Sequence, residues 1–387
     1  MNKAKKDELK LSRETRTVQI LGFEDESSGA LMPPVHFATT FARDAEHYQT
    51  PQGRSYLRCD GPTQELAEQV LADLEGASAA LVFSSGIAAC TAPFHALKRG
   101  EQALVSKTIY HGVLSFINEF AESWGISIDY FETGNLQDLE KKLVKGKTRL
   151  VWLETPANPS WVVTDLEAAA RLAHEAGALL AVDSTAATPV LTRPLELGAD
   201  LVCHSATKYL NGHSDVIAGF LAVREPSLEI WRRICEHRKF GGAILGSMEA
   251  YLLIRGMKTL HLRVHRQCEN ALQLARFLER QELVEQVHYP GLESNPGHPV
   301  AKRQMQGGFG GMLSFQVHGG KKKALEVLSR ALVFKRATSL GGVESLIEHR
   351  KSSETLETET PDNLIRVSVG IEAVEDLLQD LERMLQA

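Results

Sequence analysis

The chain has 387 residues, 43% of them apolar and 24% charged, a composition that suits two or three packed globular domains and excludes a mini-protein, a collagenous chain or a disordered one. Lysine plus arginine number 43 against 49 acidic residues, a net charge of −6, so no basic field draws nucleic acid or anionic lipid, and small-molecule chemistry is the expected class. Five cysteines (Cys59, Cys90, Cys203, Cys235 and Cys268), odd in number and never spaced C-x-x-C, fit a reducing compartment rather than a disulfide scaffold. Residues 1–10 are polar and lysine-rich, and apolar stretches such as 178–182 fall far short of the ~20 residues of a membrane span. A cytoplasmic protein that meets neither membrane nor nucleic acid is expected.

In chain order, residues 1–50 read as an N-terminal arm that lies on something else, joined on by Thr50-Pro51-Gln52-Gly53. Pro62-Thr63 opens a helix with Leu66, Val70 and Leu74 on one face, and Gly76 ends it. From 79 to 223 short apolar runs alternate with amphipathic stretches: 80–83, 102–105, 126–131, 150–153, 179–182, 201–203 and 217–223. Such runs are strands buried on both faces, and the stretches between them are parallel crossovers. The expectation is an α/β, mostly parallel doubly wound sheet occupying 51–248. After about Glu249 the pattern changes to a long helix over 257–280, strands over 312–317 and 364–369, and a closing helix over 373–385. A smaller α+β domain over 249–387 follows. Residues 348–362 are charged without apolar period and read as a surface loop.

Ligands of doubly wound sheets sit at the carboxyl ends of strands, which makes three strand ends the candidates. Ser84-Ser85-Gly86-Ile87-Ala88-Ala89 is either a plain helix cap or a turn whose free N–H groups hold a phosphate. Asp183, closing the run 179–182, either caps a helix or keeps a cationic ring nitrogen protonated. Lys208, in His204-Ser205-Ala206-Thr207-Lys208-Tyr209, is either a surface lysine or a Schiff-base nucleophile beside a phosphate cradle. Together the three are the parts needed to hold pyridoxal phosphate. His261, His265 and Cys268 share a helix face but complete no H-E-x-x-H motif and read as packed or solvated side chains, with no metal expected. The run 307–311 is glycine-rich but precedes a strand, which makes it a mobile turn rather than a dinucleotide loop.

At these residues the sequence resembles the cystathionine γ-synthase and γ-lyase family, pyridoxal-phosphate enzymes of Cys/Met metabolism with the fold-type-I architecture. The matching blocks include Tyr56-Leu57-Arg58, Gly61-Pro62-Thr63, Ser85-Gly86-Ile87-Ala88-Ala89, Glu154-Thr155-Pro156-Ala157-Asn158-Pro159 and Val182-Asp183-Ser184-Thr185. They continue through His204 to Tyr209, Gly212-His213-Ser214-Asp215, Ser339-Leu340-Gly341-Gly342-Val343-Glu344-Ser345-Leu346 and Arg366-Val367-Ser368-Val369-Gly370. The resemblance implies pyridoxal 5'-phosphate carried on Lys208, which afterwards moves protons, with Asp183 on the pyridine nitrogen. Gly86, Ile87, Ser205 and Thr207 are then the phosphate cradle, and Tyr110 stacks on the ring. It further implies that Tyr56 and Arg58 serve the phosphate of a neighbouring subunit, in a homo-oligomer built as a tetramer of two dimers. Arg366, with Asn158 and the Ser339 backbone, clamps the carboxylate of an amino-acid substrate.

Three departures refine this resemblance. Tyr110-His111-Gly112-Val113 lacks the cysteine of methionine γ-lyases. Ile347-Glu348-His349-Arg350-Lys351-Ser352-Ser353 replaces a His-Pro-Ala-Ser-Met-Thr-His segment on the substrate side. Leu340 stands where bacterial cystathionine β-lyases carry tryptophan. The expected activity is therefore γ-elimination or γ-replacement on homoserine-derived amino acids or cystathionine. β-Elimination and homoserine sulfhydrylation are the catalytic alternatives. A non-catalytic relative is disfavoured by Lys208, Asp183 and Arg366 together, and a nicotinamide dehydrogenase by the missing Gly-rich fingerprint.

Overall fold

The computed structural model describes residues 10–50, 52–354 and 359–386. The lysine-rich start of the arm (1–9), Pro51 of the link and 355–358 of the expected loop lie outside the described residues. Helix α1 (Arg13–Val18) begins at Ser12, whose hydroxyl accepts from the Thr15 N–H, and packs on α2 (Pro62–Glu75). In α2, Pro62 supplies a preset φ in the first turn and Gly76 closes the helix in the left-handed region at φ 68°. Ala67, Val70, Leu71 and Leu74 form its buried stripe.

Seven strands make the large sheet: β1 (Ala79–Phe83), β2 (Gln102–Ser106), β3 (Ser127–Phe131), β4 (Thr148–Glu154), β5 (Leu179–Asp183), β6 (Leu201–His204) and β7 (Gly219–Val223). Their order is β1-β7-β6-β5-β4-β2-β3. Only β7 runs against its neighbours, because no helix separates it from β6 and the chain simply turns back. The sheet is thus mostly parallel, as expected, with 217–223 supplying its antiparallel member. Since β7 is antiparallel to both β1 and β6, β1 points the same way as β4, β5 and β6. Their carboxyl ends therefore open on one edge.

The sheet is covered on both faces. Val151, Leu153, Leu180, Val182 and Val202 join one core with α2, α6 (Leu166–Glu175), α8 (Ser247–Met257) and α9 (Leu260–Leu278). Leu150, Trp152, Ala181, Leu201 and Cys203 join the other with α3 (Gly86–His95), α4 (His111–Trp124) and α7 (Glu229–Gly241); α5 (Leu136–Lys142) follows β3. This two-residue alternation, the pleat of the strand, sends Glu154, Asp183 and Cys203 to the α3 face and His204 to the opposite one. There His204 meets the buried Glu75 of α2 at 2.5 Å.

A second sheet has the order β10-β11-β12-β9-β8, from β8 (Val284–His288), β9 (Met312–Val317), β10 (Lys335–Arg336), β11 (Leu346–His349) and β12 (Leu364–Ser368). Helix α10 (His298–Gln304) precedes β9, and α11 (Gly320–Ser329) and α12 (Val374–Leu385) pack with α9 on the Leu313, Phe315, Ile347, Ile365 and Val367 face. Two expectations change here. The long helix expected over 257–280 is α9, which begins three residues later, at Leu260, because Lys258 and Thr259 separate it from α8, whose last residue is Met257. The start of the expected loop is not at the surface: Glu348 and His349 belong to β11 and, with Arg350, are at most 7% exposed. Glu348 pairs with both Arg350 and Arg366, which periodicity along the chain cannot register. Among the described residues no helix is long and apolar enough to cross a membrane.

Candidate active site

The turn after β1 starts α3 at Ser85, whose hydroxyl accepts from the Ala88 N–H at 3.3 Å. Gly86 and Ile87 are the first helical residues, so their N–H groups have no partner within the helix. A Cβ on Gly86 would lie 2.5 Å from the Ser205 hydroxyl; only glycine lets this turn approach the segment after β6. Thr185 ties the same region together. Its hydroxyl accepts from the Ser205 N–H at 2.8 Å and donates to Asp183 Oδ1 at 2.6 Å. The Thr207 hydroxyl exchanges hydrogen bonds with the Ala218 backbone.

Lys208 follows within one turn. Its Nζ donates to the Ser339 hydroxyl at 2.8 Å. Burial lowers its pKa to about 8, aided by the Arg366 cation and opposed by the Glu348 carboxylate. Ser339 sits at φ 89°, a strained value for a residue with a side chain. It is held there from both ends, since its carbonyl also accepts from Arg366 Nη2 at 2.8 Å.

Arg366 projects from β12 on the face opposite Ile365 and Val367. Besides Ser339 it donates to Asn158 Oδ1 at 3.2 Å and to Glu348 Oε1 at 2.6 Å, the last being its register partner on β11. Burial lowers even its pKa to about 10, with Glu348 acting the other way. Glu348 Oε1 is shared with Arg350 at 3.2 Å, whereas Glu348 Oε2 is buried without a partner. Arg350 also donates to Glu354 at 3.0 Å and to His111 Nδ1 at 3.4 Å. Burial lowers the His111 pKa, with Arg350 adding to the effect.

Glu154 completes a circuit. Its two oxygens accept from the Asn158 N–H at 2.9 Å and the Tyr110 N–H at 2.8 Å. Tyr110 to Glu154, Asn158, Arg366, Glu348, Arg350 and back to His111, next to Tyr110, is then one closed ring of contacts. Glu154 is also the register partner of Asp183, so two carboxyl groups emerge side by side. Burial first, and the Asp183 charge second, raise Glu154 to about pKa 8. Both causes favour its protonated form.

That proton has a consequence for stability. An unfolded glutamate ionises near 4.5, so between about 4.5 and about 8 the native state holds a proton that the unfolded state has lost. This stabilising contribution is full below about 4.5 and is lost as pH rises through about 8. Urea unfolding across that window is expected to show this decline in the wild type and not in Glu154→Gln, whatever the variant's absolute stability. An equally steep decline in the variant would overturn the assignment.

The structure thus brings Gly86, Ile87, Tyr110, Asn158, Asp183, Ser205, Thr207, Lys208, Ser339 and Arg366 to one edge. It does not bring Tyr56 and Arg58 there. Arg58 lies over the Tyr56 ring at 5.3 Å, beside the Thr40–Tyr56 bridge of the arm, and among the described residues neither is bonded to the site. Reasoning from the sequence left out Glu154, Glu348, Arg350 and His111. Glu154 was available to the rule that selected Asp183, as the polar residue closing a buried run; the others carry no local signal.

A family profile described as Cys/Met metabolism PLP-dependent enzyme matches residues 14–386. An L-methionine gamma-lyase of Fusobacterium nucleatum is 39% identical over 374 residues, covering 92% of this chain and 94% of that protein. A cystathionine beta-lyase of Coxiella burnetii is 38% identical over 385 residues, covering 96% and 97%. The crystal structure of a cystathionine gamma synthase from Xanthomonas oryzae pv. oryzae superposes with a TM-score of 0.92 at 34% identity, covering 97% of this chain and 98% of that one. Three activities thus stand at nearly the same distance from this chain.

Proposed function

Because the chain belongs to the Cys/Met metabolism PLP-dependent enzymes, whose chemistry is γ- or β-elimination or replacement in sulfur amino-acid metabolism, we propose that it acts at Cγ of a homoserine-derived amino acid or of cystathionine. The observation that carries this reading is the Lys208–Ser339–Arg366 chain, which holds the amine at 2.8 Å from a residue whose carbonyl takes the clamp. An amine tethered beside the carboxylate site lies near both Cα and Cβ of a bound amino acid, and γ-chemistry needs a proton moved at each.

The residues fit pyridoxal phosphate: a glycine turn against Ser205 that a Cβ would fill, a carboxylate at the end of β5 and a lysine of lowered pKa. When bound, the cofactor supplies an electron sink conjugated to the substrate nitrogen. In this reading the N–H groups of Gly86 and Ile87 with Ser205 and Thr207 hold the phosphate, Asp183 faces the ring nitrogen and the Tyr110 ring lies on the cofactor. Arg366 and Asn158 orient the substrate carboxylate. Lys208, once released, removes the Cα proton and then a Cβ proton. A cleft of about 510 Å³ opens beside Asn158, lined among others by His111, Leu114, Arg350 and Leu364. It has room for the γ-substituent.

Deuterated water provides the test. A homoserine ester or slow analogue is expected to exchange Cβ as well as Cα protons and, without a thiol acceptor, to yield 2-oxobutyrate. Efficient pyruvate formation from β-leaving substrates, with no exchange at Cβ, assigns β-elimination instead. The active unit in this reading is a cytoplasmic homotetramer whose sites are completed across subunits by Tyr56 and Arg58. Exposed Leu31, Phe37 and Tyr48 on the arm are apolar surface for such a contact. Mixing inactive Arg58→Ala with inactive Lys208→Ala, with exchange verified by mass, is expected to restore activity in hybrid sites. No rescue in exchanged subunits assigns the site to a single chain.

A further inference from the structure

Two thiols at the centre of the site have no part in the chemistry above. Cys203 and Asp183 are register partners on β6 and β5, so their side chains emerge together on the face covered by α3. Cys90, one turn into α3 from the Gly86 turn, reaches both. Its Sγ is 3.6 Å from Asp183 Oδ2 and 3.2 Å from Cys203 Sγ. The other carboxylate oxygen, Oδ1, takes the Thr185 N–H at 3.0 Å and its hydroxyl at 2.6 Å.

Among the described residues, these groups are bonded to Asp183 or paired with it in register. Glu154 on β4 is pushed toward its protonated form by burial first and by Asp183 second. Cys203 lies on β6, Cys90 on α3 and Thr185 beyond β5. Both thiols are buried among apolar side chains. For Cys90 the Cys203 contact and burial raise the pKa well above the ordinary thiol value, and for Cys203 burial does so. Both stay protonated, so both are donors.

We propose that Cys90 is a positioning residue for Asp183: its S–H donates to Oδ2 while the Cys203 S–H donates to Cys90 Sγ, a two-thiol chain that orients the carboxylate and occupies one of its acceptor sites. This rests on the reading of Asp183 as partner of the cofactor's ring nitrogen. A carboxylate that already accepts a hydrogen bond competes less for the proton it shares. The proton then stays on the ring nitrogen, and the electron sink stays strong. Without that donor Asp183 would compete more strongly for the ring-nitrogen proton, and the absorbance titration of the bound cofactor would move to higher pH.

Two measurements test this. Infrared spectroscopy of the S–H stretch, made on protein with and without cofactor, is expected to show a band displaced to lower frequency that disappears in Cys90→Ala and returns toward the free-thiol position in Asp183→Asn. In the holoenzyme, the absorbance titration of the lysine-bound cofactor is expected to move up by about half a pH unit in Cys90→Ala, the scale of one weak hydrogen bond. Cys90→Ser, which keeps a donor, is expected to restore most of it. A Cys90 band at the free-thiol frequency overturns the proposal, as does a titration midpoint unmoved in Cys90→Ala or moved equally in Cys90→Ser. If wild-type protein binds no cofactor at Lys208, the functional reading fails, and the cofactor-free infrared band still decides the Cys90–Asp183 contact.

Discussion

Lys208→Ala protein is expected to lose at least about 10⁴-fold in turnover, because one amine supplies both the covalent attachment and the acid–base work at two carbons. The fold should survive, since the side-chain hydrogen bond lost is that to the Ser339 hydroxyl at the edge of the sheet. Borohydride reduction of the wild type, followed by peptide mass analysis, is expected to find the cofactor on the peptide containing Lys208. Its attachment elsewhere, or turnover within tenfold of wild type in the variant, would falsify the assignment. The pKa of about 8 adds a pH signature. Only the neutral amine attacks an aldehyde, so the rate of cofactor uptake by stripped protein should rise with pH and level off above about 8. Glu348 raises that pKa, so Glu348→Gln should move the rise to lower pH.

The second large effect is expected at Arg366. Arg366→Leu removes a guanidinium bonded to Asn158, the Ser339 carbonyl and Glu348, all of them groups that stay in place. Truncating one member of a buried, hydrogen-bonded charge pair costs on the order of 2–5 kcal/mol, so kcat/KM should fall by about 30-fold to about 4,000-fold, mostly through KM. Urea unfolding should also show a loss, since Glu348 then keeps Arg350 as its cationic partner with Oε2 already unpartnered. Combining Arg366→Leu with Glu348→Gln should recover stability without recovering KM, which separates the clamp from the buried charge it balances. Recovery of KM in the double variant would show that Arg366 does not bind substrate.

Sequence order by itself disclosed the large sheet, because strands buried on both faces must be continuous apolar runs and all seven runs are present. It also disclosed Asp183 and the Lys208 segment. In a parallel sheet the residue that closes a run is placed at the ligand edge by chain direction alone. The family resemblance added Arg366, Asn158 and Ser339, which have no local pattern of their own. Residues 348–350, within the expected loop over 348–362, are buried instead for a definite reason: a charged stretch without periodicity has the same appearance whether its charges are solvated or paired.

What pairs them is remote. Arg366 meets Asn158 across 208 residues and Arg350 meets His111 across 239. Glu348 faces Arg366 only because β11 and β12 pair in that register. The same holds for Glu154 beside Asp183 and for the Cys90–Asp183–Cys203 cluster, where strand pairing sets two groups side by side and α3 brings the third. Local sequence therefore determined which residues lie at the edge of the sheet. Tertiary structure decided which of them share protons and charge, because desolvation and short Coulomb distances arise only once separate elements have packed together.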